Sequence, residues 1–261
     1  MTILDKIIER KKVEIAEAKA KVSLEELTDY PLFSRTCYSL KESMLHPQRT
    51  GIIAEFKRAS PSKGLINGVS LVADVVSGYQ AAGASAVSVL TDTDFFQGSL
   101  ADLTAARKAL TIPILRKEFI VDTYQIAEAK AYGADIILLI AACLSTEEVA
   151  HLANYAKSLG LNVLLEVHNA EELERSIFDS IDAIGVNNRN LKDFSVDLNH
   201  SYDLVKQIPD RFIKVSESGI SDPKIILALK EAGFQGFLIG ENFMKTANPA
   251  QAIEEFVGAL Q

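Results

Sequence analysis

From Gly51 onward the chain repeats one pattern, a short and nearly continuous apolar run followed by a stretch of helical period. The runs lie at residues 52–57, 86–90, 112–115, 136–140, 163–166, 181–186, 212–215 and 237–239. Runs of this kind are expected of parallel strands buried on both faces. Helical periodicity fills the intervals, as over 123–132, 146–159 and 223–232. Ser145-Thr146-Glu147-Glu148 and Ser221-Asp222-Pro223 read as helix starts, with a capping oxygen and then Pro or Glu in the first turn. Gly83, Gly133, Gly160 and Gly233 each follow a helix and precede a strand, where a left-handed residue commonly ends the helix. Eight units of about 25 residues each fill 51–261 and meet the requirement of an α/β fold of the (β/α)8 TIM-barrel type. A doubly wound open sheet is the alternative. The absence of a Gly-x-Gly-x-x-Gly turn after the first run favours the barrel.

Residues 1–50 differ. Positions 2–21 read as a charged amphipathic helix with Ile3, Ile7, Ile8, Ile15 and Ala18 on or near one face, and 23–27 as a second short helix. This N-terminal helical extension has too little apolar substance for a core of its own, so it is expected to belong to the same domain as the barrel at 51–261. Two placements stay open for the first helix: against the bottom or side of the barrel, or over the active-site mouth.

Composition excludes several functions. Hydrophobic residues make up 48% of the chain and charged residues 24%, ordinary values for a globular protein. No apolar run approaches the roughly 18 residues of a membrane span. The start of the chain runs into Glu9-Arg10-Lys11-Lys12 and lacks the apolar centre of a signal peptide. Cys37 and Cys143 make no disulfide framework, which fits a reducing, cytoplasmic compartment. A net charge of −8 and a pI near 5.1 argue against nucleic acid as the partner. The four histidines show no metal-ligand spacing, so no metal is expected. Cys143 lacks an evident activating partner and reads as inert; His168 follows the fifth run, where a place facing the mouth is one alternative, and an ordinary loop residue is the preferred reading.

Active sites of such barrels lie at the C-terminal ends of the strands. There the apolar runs end in Glu55-Phe56-Lys57, Arg116-Lys117-Glu118, Glu166, Asn187-Asn188-Arg189 and Ser216-Glu217-Ser218-Gly219. Glu55 and Lys57 are two apart and share one side of a strand. Two lysines and several carboxylates converging on one rim are hard to explain as packing, because isolated buried charges are costly. Ser218-Gly219-Ile220-Ser221 and Gly240-Glu241-Asn242 follow the seventh and eighth runs, where backbone N–H groups commonly bind phosphate. Glu241 must then turn its carboxylate away from the anion.

The segment 53–62, Ile-Ala-Glu-Phe-Lys-Arg-Ala-Ser-Pro-Ser, closely resembles the first-strand signature of the indole-3-glycerol phosphate synthase family. Further likenesses are Leu90-Thr91-Asp92 with Phe96-Gln97-Gly98-Ser99, the run 113–120, Leu165-Glu166-Val167, the run 185–189, the run 216–220 and Leu238-Ile239-Gly240-Glu241. The N-terminal Ile3-Leu4-Asp5-Lys6-Ile7 resembles the family's extra helix, so the resemblance spans nearly the whole chain.

The resemblance implies ring closure of 1-(2-carboxyphenylamino)-1-deoxyribulose 5-phosphate with loss of carbon dioxide and water, a cofactor-free step of tryptophan biosynthesis. It implies Lys117 as general acid, Glu166 as the main acid–base carboxylate and Lys57 as a second acid or carboxylate clamp. Glu55, Asn187 and Glu217 would orient these groups. Ser60, with Lys57, would hold the substrate carboxylate. Pro61, Phe96, Phe119 and Leu138 would form the slot for the aromatic ring. Arg189, Ser218, Gly219, Gly240 and the Glu241 N–H would surround the phosphate. A neighbouring cation is expected to tune the catalytic lysine toward neutrality, with Lys57 and Lys117 acting on each other. With no Trp in the chain, any lid from the first helix is aliphatic, Ile3 or Ile7.

Phosphoribosylanthranilate isomerase, a neighbouring barrel, would be expected to offer Cys where this chain has Glu55 and Lys57. A Schiff-base aldolase on either lysine and a non-catalytic phosphometabolite-binding barrel are further alternatives, and the last leaves the charged strand ends unexplained. The expected partner is a small phosphorylated substrate, with neither nucleic acid nor membrane, on a monomer or weak homodimer. The pattern ends with the eighth unit, so no fused partner enzyme is expected after it.

Overall fold

The computed structural model describes residues 2–190 and 194–260. Met1 and Gln261, the outer ends of the two expected segments, lie outside the described residues. Among the described residues, eight parallel strands close into a barrel: β1 (Ile52–Phe56), β2 (Ala86–Leu90), β3 (Ile114–Lys117), β4 (Ile136–Ile140), β5 (Asn162–Val167), β6 (Ala183–Asn187), β7 (Ile213–Glu217) and β8 (Gly236–Ile239). Each strand pairs with its sequence neighbours, and β8 pairs with β1 through Ile52–Phe237 and Ala54–Ile239, which closes the ring. The open sheet is thereby excluded.

Three helices precede the barrel: α1 (Ile3–Lys21), α2 (Leu24–Thr28) and α3 (Leu40–Met44). The helices that follow strands are α4 (Val72–Ala81), α5 (Leu100–Ala109), α6 (Thr123–Ala131), α7 (Thr146–Ser158), α8 (Ala170–Ser176), α9 (Asn199–Leu204), α10 (Pro223–Ala232), α11 (Glu241–Met244) and α12 (Pro249–Gly258). None of the described helices is long and apolar enough to cross a membrane.

Local signals explain most of these boundaries. Ser145 and Glu148 form a reciprocal capping box on α7, and Asp222 caps α10 with Pro223 in its first turn. Gly83, Gly133, Gly160 and Gly233 all adopt positive φ, as their places after helices require. The third strand starts later than its apolar run, at Ile114. Pro113 has no N–H for the ladder, although its carbonyl still accepts from the Val87 N–H.

Two apolar layers result from strand alternation. Outward residues such as Phe56, Val87, Ile137 and Leu165 pack under the helices, and inward residues such as Ile53, Leu115, Leu138 and Leu164 fill the barrel. The bottom is plugged by α3, whose Leu40 and Met44 join the interior cluster. The longer α1 lies elsewhere. Its Lys11 pairs with Asp92 (2.6 Å) and Glu118 (3.1 Å), both just beyond strand C-termini, so α1 crosses the upper rim. Of the two placements open from the sequence, α1 takes the one over the mouth and the short α3 takes the bottom.

Candidate active site

The strand ends build the site by parity. On β1, β3, β5, β6 and β7 the residues Glu55, Lys117, Glu166, Asn187 and Glu217 fall on the inward side, and Lys57 and His168 continue that side just past β1 and β5. All open onto or stand beside one cavity of about 640 Å³. A volume of this size suits a small-molecule substrate.

Lys117 sits at the centre. Its Nζ donates to Glu217 Oε2 at 2.8 Å and to Glu166 Oε2 at 3.3 Å. Burial disfavours its charge, but Glu217, Glu166 and Glu55 together outweigh that and raise its pKa above the ordinary lysine value. The expectation that Lys57 tunes Lys117 toward neutrality is therefore corrected. Lys57 Nζ is occupied by Glu55 Oε1 at 2.7 Å, and carboxylates surround Lys117. The charged form so favoured is the form that can donate a proton.

The carboxylates differ from one another. Burial pushes the Glu217 carboxyl up to about 7, with Glu166 and Glu55 adding to the shift and Lys117 opposing it. Its Oε1 is buried without a hydrogen-bond partner among the described residues. Burial acts in the same direction on Glu166, but Lys117, His168 and Asn187 overcome it and hold that carboxyl below its usual range. Asn187 Nδ2 donates to Glu166 Oε1 at 3.0 Å, while its own Oδ1 accepts from the Arg189 N–H and Ser218 Oγ. That pattern fixes the amide with its N–H₂ toward Glu166. A Cβ at Gly185 would strike the Glu217 carboxylate and one at Gly240 would strike Glu55, so only glycine leaves room for those side chains.

The remaining expected residues line the same cavity. Phe96 and Phe119 pack with tilted rings whose centroids are 6.0 Å apart, and Leu138 and Pro61 also line the cavity. Ser60 ends the first arm of a small hairpin at the mouth, with arms Ala59–Ser60 and Gly64–Leu65. Arg189, Ser218, Gly219, Gly240 and Glu241 gather on the opposite side, where Ser218 and Gly219 both adopt positive φ. Glu241 turns its carboxylate toward Lys63, with Oε1 at 3.7 Å from Nζ. Every residue singled out for the site from the sequence thus lines this cavity.

Sequence reasoning missed other parts of the wall. Lys63 and Lys245 join the Arg189 side, and Leu4 joins Ile3 and Ile7 in the ceiling that α1 provides. Lys11, noted in the sequence only as part of a charged run, has a side chain 2% exposed between Asp92, Glu118 and Glu14 and anchors that ceiling. His168, expected to be an ordinary loop residue, has its ring against Glu166. The expectation of an inert Cys143 agrees with a thiol pushed up to about 12, by burial first and then by Glu166 and Glu172.

Comparison with known proteins gives a consistent result. The family model for indole-3-glycerol phosphate synthase matches residues 4–256. The indole-3-glycerol phosphate synthase of Bacteroides thetaiotaomicron is 48% identical over 259 residues, covering 99% of this chain and 99% of that protein. The corresponding protein of Acinetobacter baylyi is 42% identical over 258 residues, covering 98% and 96%. Among solved structures, a 3-hexulose-6-phosphate synthase superposes with a TM-score of 0.62 at 15% identity, covering 81% of this chain and 100% of that one. A chain of the tryptophan synthase complex from Pyrococcus furiosus reaches 0.60 at 16% identity, covering 82% and 98%. The structural likenesses carry the barrel alone, whereas the sequence matches run through the whole rim described above. This chain belongs to the indole-3-glycerol phosphate synthase family.

Proposed function

We propose that the cavity converts 1-(2-carboxyphenylamino)-1-deoxyribulose 5-phosphate to indole-3-glycerol phosphate, carbon dioxide and water, the ring-forming step of tryptophan biosynthesis. The observation that carries the reading is Lys117, held charged between Glu166 and Glu217 on the floor of a cavity with one apolar and one basic wall.

In the first step the ring carbon bearing the carboxylate attacks the ketone carbon. Negative charge grows on the ketone oxygen, and Lys117 donates the proton that makes it a hydroxyl. A buried, preorganised donor is most effective where such charge develops. Carbon dioxide then leaves, and the electrons of the broken carbon–carbon bond restore the aromatic ring. Dehydration follows: Glu166 removes a proton on the side of the ring nitrogen, and Lys57 serves as second acid for the departing hydroxyl. Asn187 keeps the Glu166 oxygens aimed, and Glu55 and Glu217 hold the two lysines.

The binding roles follow the two walls. Phe96, Phe119, Leu138 and Pro61 take the aromatic ring, and Ser60 with Lys57 takes its carboxylate. Arg189 with the N–H groups near Ser218, Gly219, Gly240 and Glu241 takes the phosphate. Lys63 and Lys245 add positive charge to that side. An acidic chain can bind a substrate bearing both a carboxylate and a phosphate because its cations are concentrated at this rim. The reading carries with it a cytoplasmic location and a monomer or weak homodimer.

Purified protein incubated with the synthetic substrate and no added cofactor is expected to produce indole fluorescence and one carbon dioxide per product. Folded protein that binds the substrate and yields neither would move the assignment to a binding-only barrel.

A further inference from the structure

His168 lies outside the cavity wall and directly behind the carboxylate that the proposed mechanism uses most. It follows β5, two residues after Glu166, and strand parity turns both side chains the same way. Its Nε2 stands 3.5 Å from Glu166 Oε1, the oxygen that also accepts from Asn187. That nitrogen is buried and has no hydrogen-bond partner among the described residues, and the Glu166 carboxylate is the charged group it faces at ion-pair distance. The opposite ring nitrogen, Nδ1, stands 3.3 Å from Glu172 Oε2.

Glu172 is itself fixed. Its Oε2 accepts from the His168 backbone N–H at 2.8 Å, its Oε1 accepts from Asn169 Nδ2, and its own N–H donates to the Asn169 cap of α8. The imidazole is therefore gripped at one nitrogen and aimed at Glu166 with the other. An arrangement of carboxylate, imidazole and carboxylate favours the doubly protonated ring.

We infer that His168 is a positioning residue for Glu166: clamped from behind by Glu172, its imidazolium holds the Glu166 carboxylate ionised and turned toward Lys117. Glu166 thus lies between two cations, Lys117 on the substrate side at Oε2 and His168 on the outer side at Oε1. The groups that act on His168 are Glu166 from β5, Glu172 from α8 and, farther off, Glu217 from β7. Arg175 acts on Glu172, and the thiol of Cys143, after β4, stays protonated near both carboxylates. Burial opposes the charge on His168, but the three carboxylates outweigh it and its pKa is raised. Burial opposes charge on Glu166 as well, and its carboxyl is lowered by Lys117 first and then by His168 and Asn187, so His168 is one of the groups that keep it ionised.

A base that removes a proton during dehydration must be ionised when substrate is bound, and two cations ensure that. The idea rests on the reading of Glu166 as the acid–base carboxylate, and the test separates the two. His168→Gln keeps a hydrogen-bonding side chain of similar reach and removes the charge. His168→Lys restores a cation.

The measurement is kcat against pH from about 4.5 to 8.5, for the wild type, both variants and Glu166→Gln. In His168→Gln the acid limb is expected to move up by about one pH unit, since one unit is a tenfold change in the protonation equilibrium. Below the limb kcat then falls about tenfold, while at pH 8 it stays within about twofold. His168→Lys is expected to return the limb to its wild-type place. A uniform loss at every pH, or an unmoved limb in folded His168→Gln, would overturn the inference while Glu166→Gln remained inactive. Wild-type-like turnover in Glu166→Gln would instead remove the reading on which it rests. Thermal melting of each variant shows whether a loss is one of folding; if His168→Gln does not fold, the limb of His168→Asn decides in its place.

Discussion

The two ends of the barrel each bury a cluster of charges and use them in opposite ways. At the bottom, Asp135 is fully buried and fully satisfied: Oδ1 accepts from Arg35 and the Tyr38 N–H, and Oδ2 from Arg107 and the Ile114 N–H. At the top, the carboxylates Glu55, Glu166 and Glu217 face the lysines Lys57 and Lys117, and a Glu217 oxygen has no hydrogen-bond partner among the described residues. The lower cluster ties the segment before β1 to β3 and satisfies both oxygens of its carboxylate, although Arg35 Nε is buried without a hydrogen-bond partner among the described residues. The upper cluster surrounds an open cavity and keeps charge in reserve. A buried ion network alone does not mark a site; incomplete satisfaction beside an open volume does.

The contrast is broken most severely by removing the charge chemistry at the top. Glu166→Gln is expected to lower kcat by about a thousandfold, within the range assigned to a general acid or base, while substrate still binds. Steady-state fluorescence and equilibrium binding check both halves.

At the other end, Asp135→Ala strands the Arg35 and Arg107 cations and is expected to cost about 3 kcal/mol of stability. The kcat of the remaining folded enzyme should stay within about twofold. Urea unfolding with activity measured at low denaturant tests this, and a selective loss of kcat without loss of stability would erase the contrast.

A smaller effect comes from Glu217. Its folded-state carboxyl sits near 7 and its ordinary value is 4.5, so between those values the folded protein holds a proton that the unfolded chain has released. The resulting stability is complete below about 4.5 and is lost as pH rises through about 7. Glu217→Gln should flatten that decline. Urea midpoints at pH 5 and pH 8 are expected to differ less in the variant than in the wild type, and an equal difference would count against the assignment.

Smallest is the ceiling. Ile7→Ala removes about three methylene-sized groups from the wall that α1 lends to the cavity, and only part of that surface faces substrate. At about 0.8 kcal/mol per methylene, KM is expected to rise about fourfold if one such contact is lost, with kcat unchanged. A fall in kcat larger than the rise in KM would show that α1 does more than enclose the substrate.

Much of the upper end was legible in the sequence. Apolar runs ending in Lys117, Glu166, Asn187 and Glu217 reveal both the strand and the inward parity of its last residue. The position of Ser218-Gly219 and Gly240-Glu241 after the seventh and eighth runs marks the phosphate loops, and the family likeness adds Ser60 and the aromatic slot. The lower end was not legible, because α3 is a five-residue helix whose signal is too short for periodicity. Lys11 was hidden for another reason. A lysine in a basic run looks solvated until the fold brings Asp92 and Glu118 to it from distant parts of the chain. The pairing of Lys57 with Glu55 follows the two-residue spacing already visible in the sequence, whereas the grip of Glu172 on His168 depends on how α8 packs behind β5, which strand pattern does not encode. The two lysines do not tune each other because Glu55 from β1 pairs with Lys57, and Glu166 from β5 and Glu217 from β7 pair with Lys117.

The central claim is that Lys117, held charged by Glu166 and Glu217, drives ring closure from within the cavity. A single-turnover experiment with Lys117→Ala tests it directly, with enzyme in excess over substrate and indole fluorescence as the readout. The account predicts substrate bound with near wild-type affinity and a fluorescence rate reduced by at least about a thousandfold. Fluorescence appearing at the wild-type rate in that variant would contradict it.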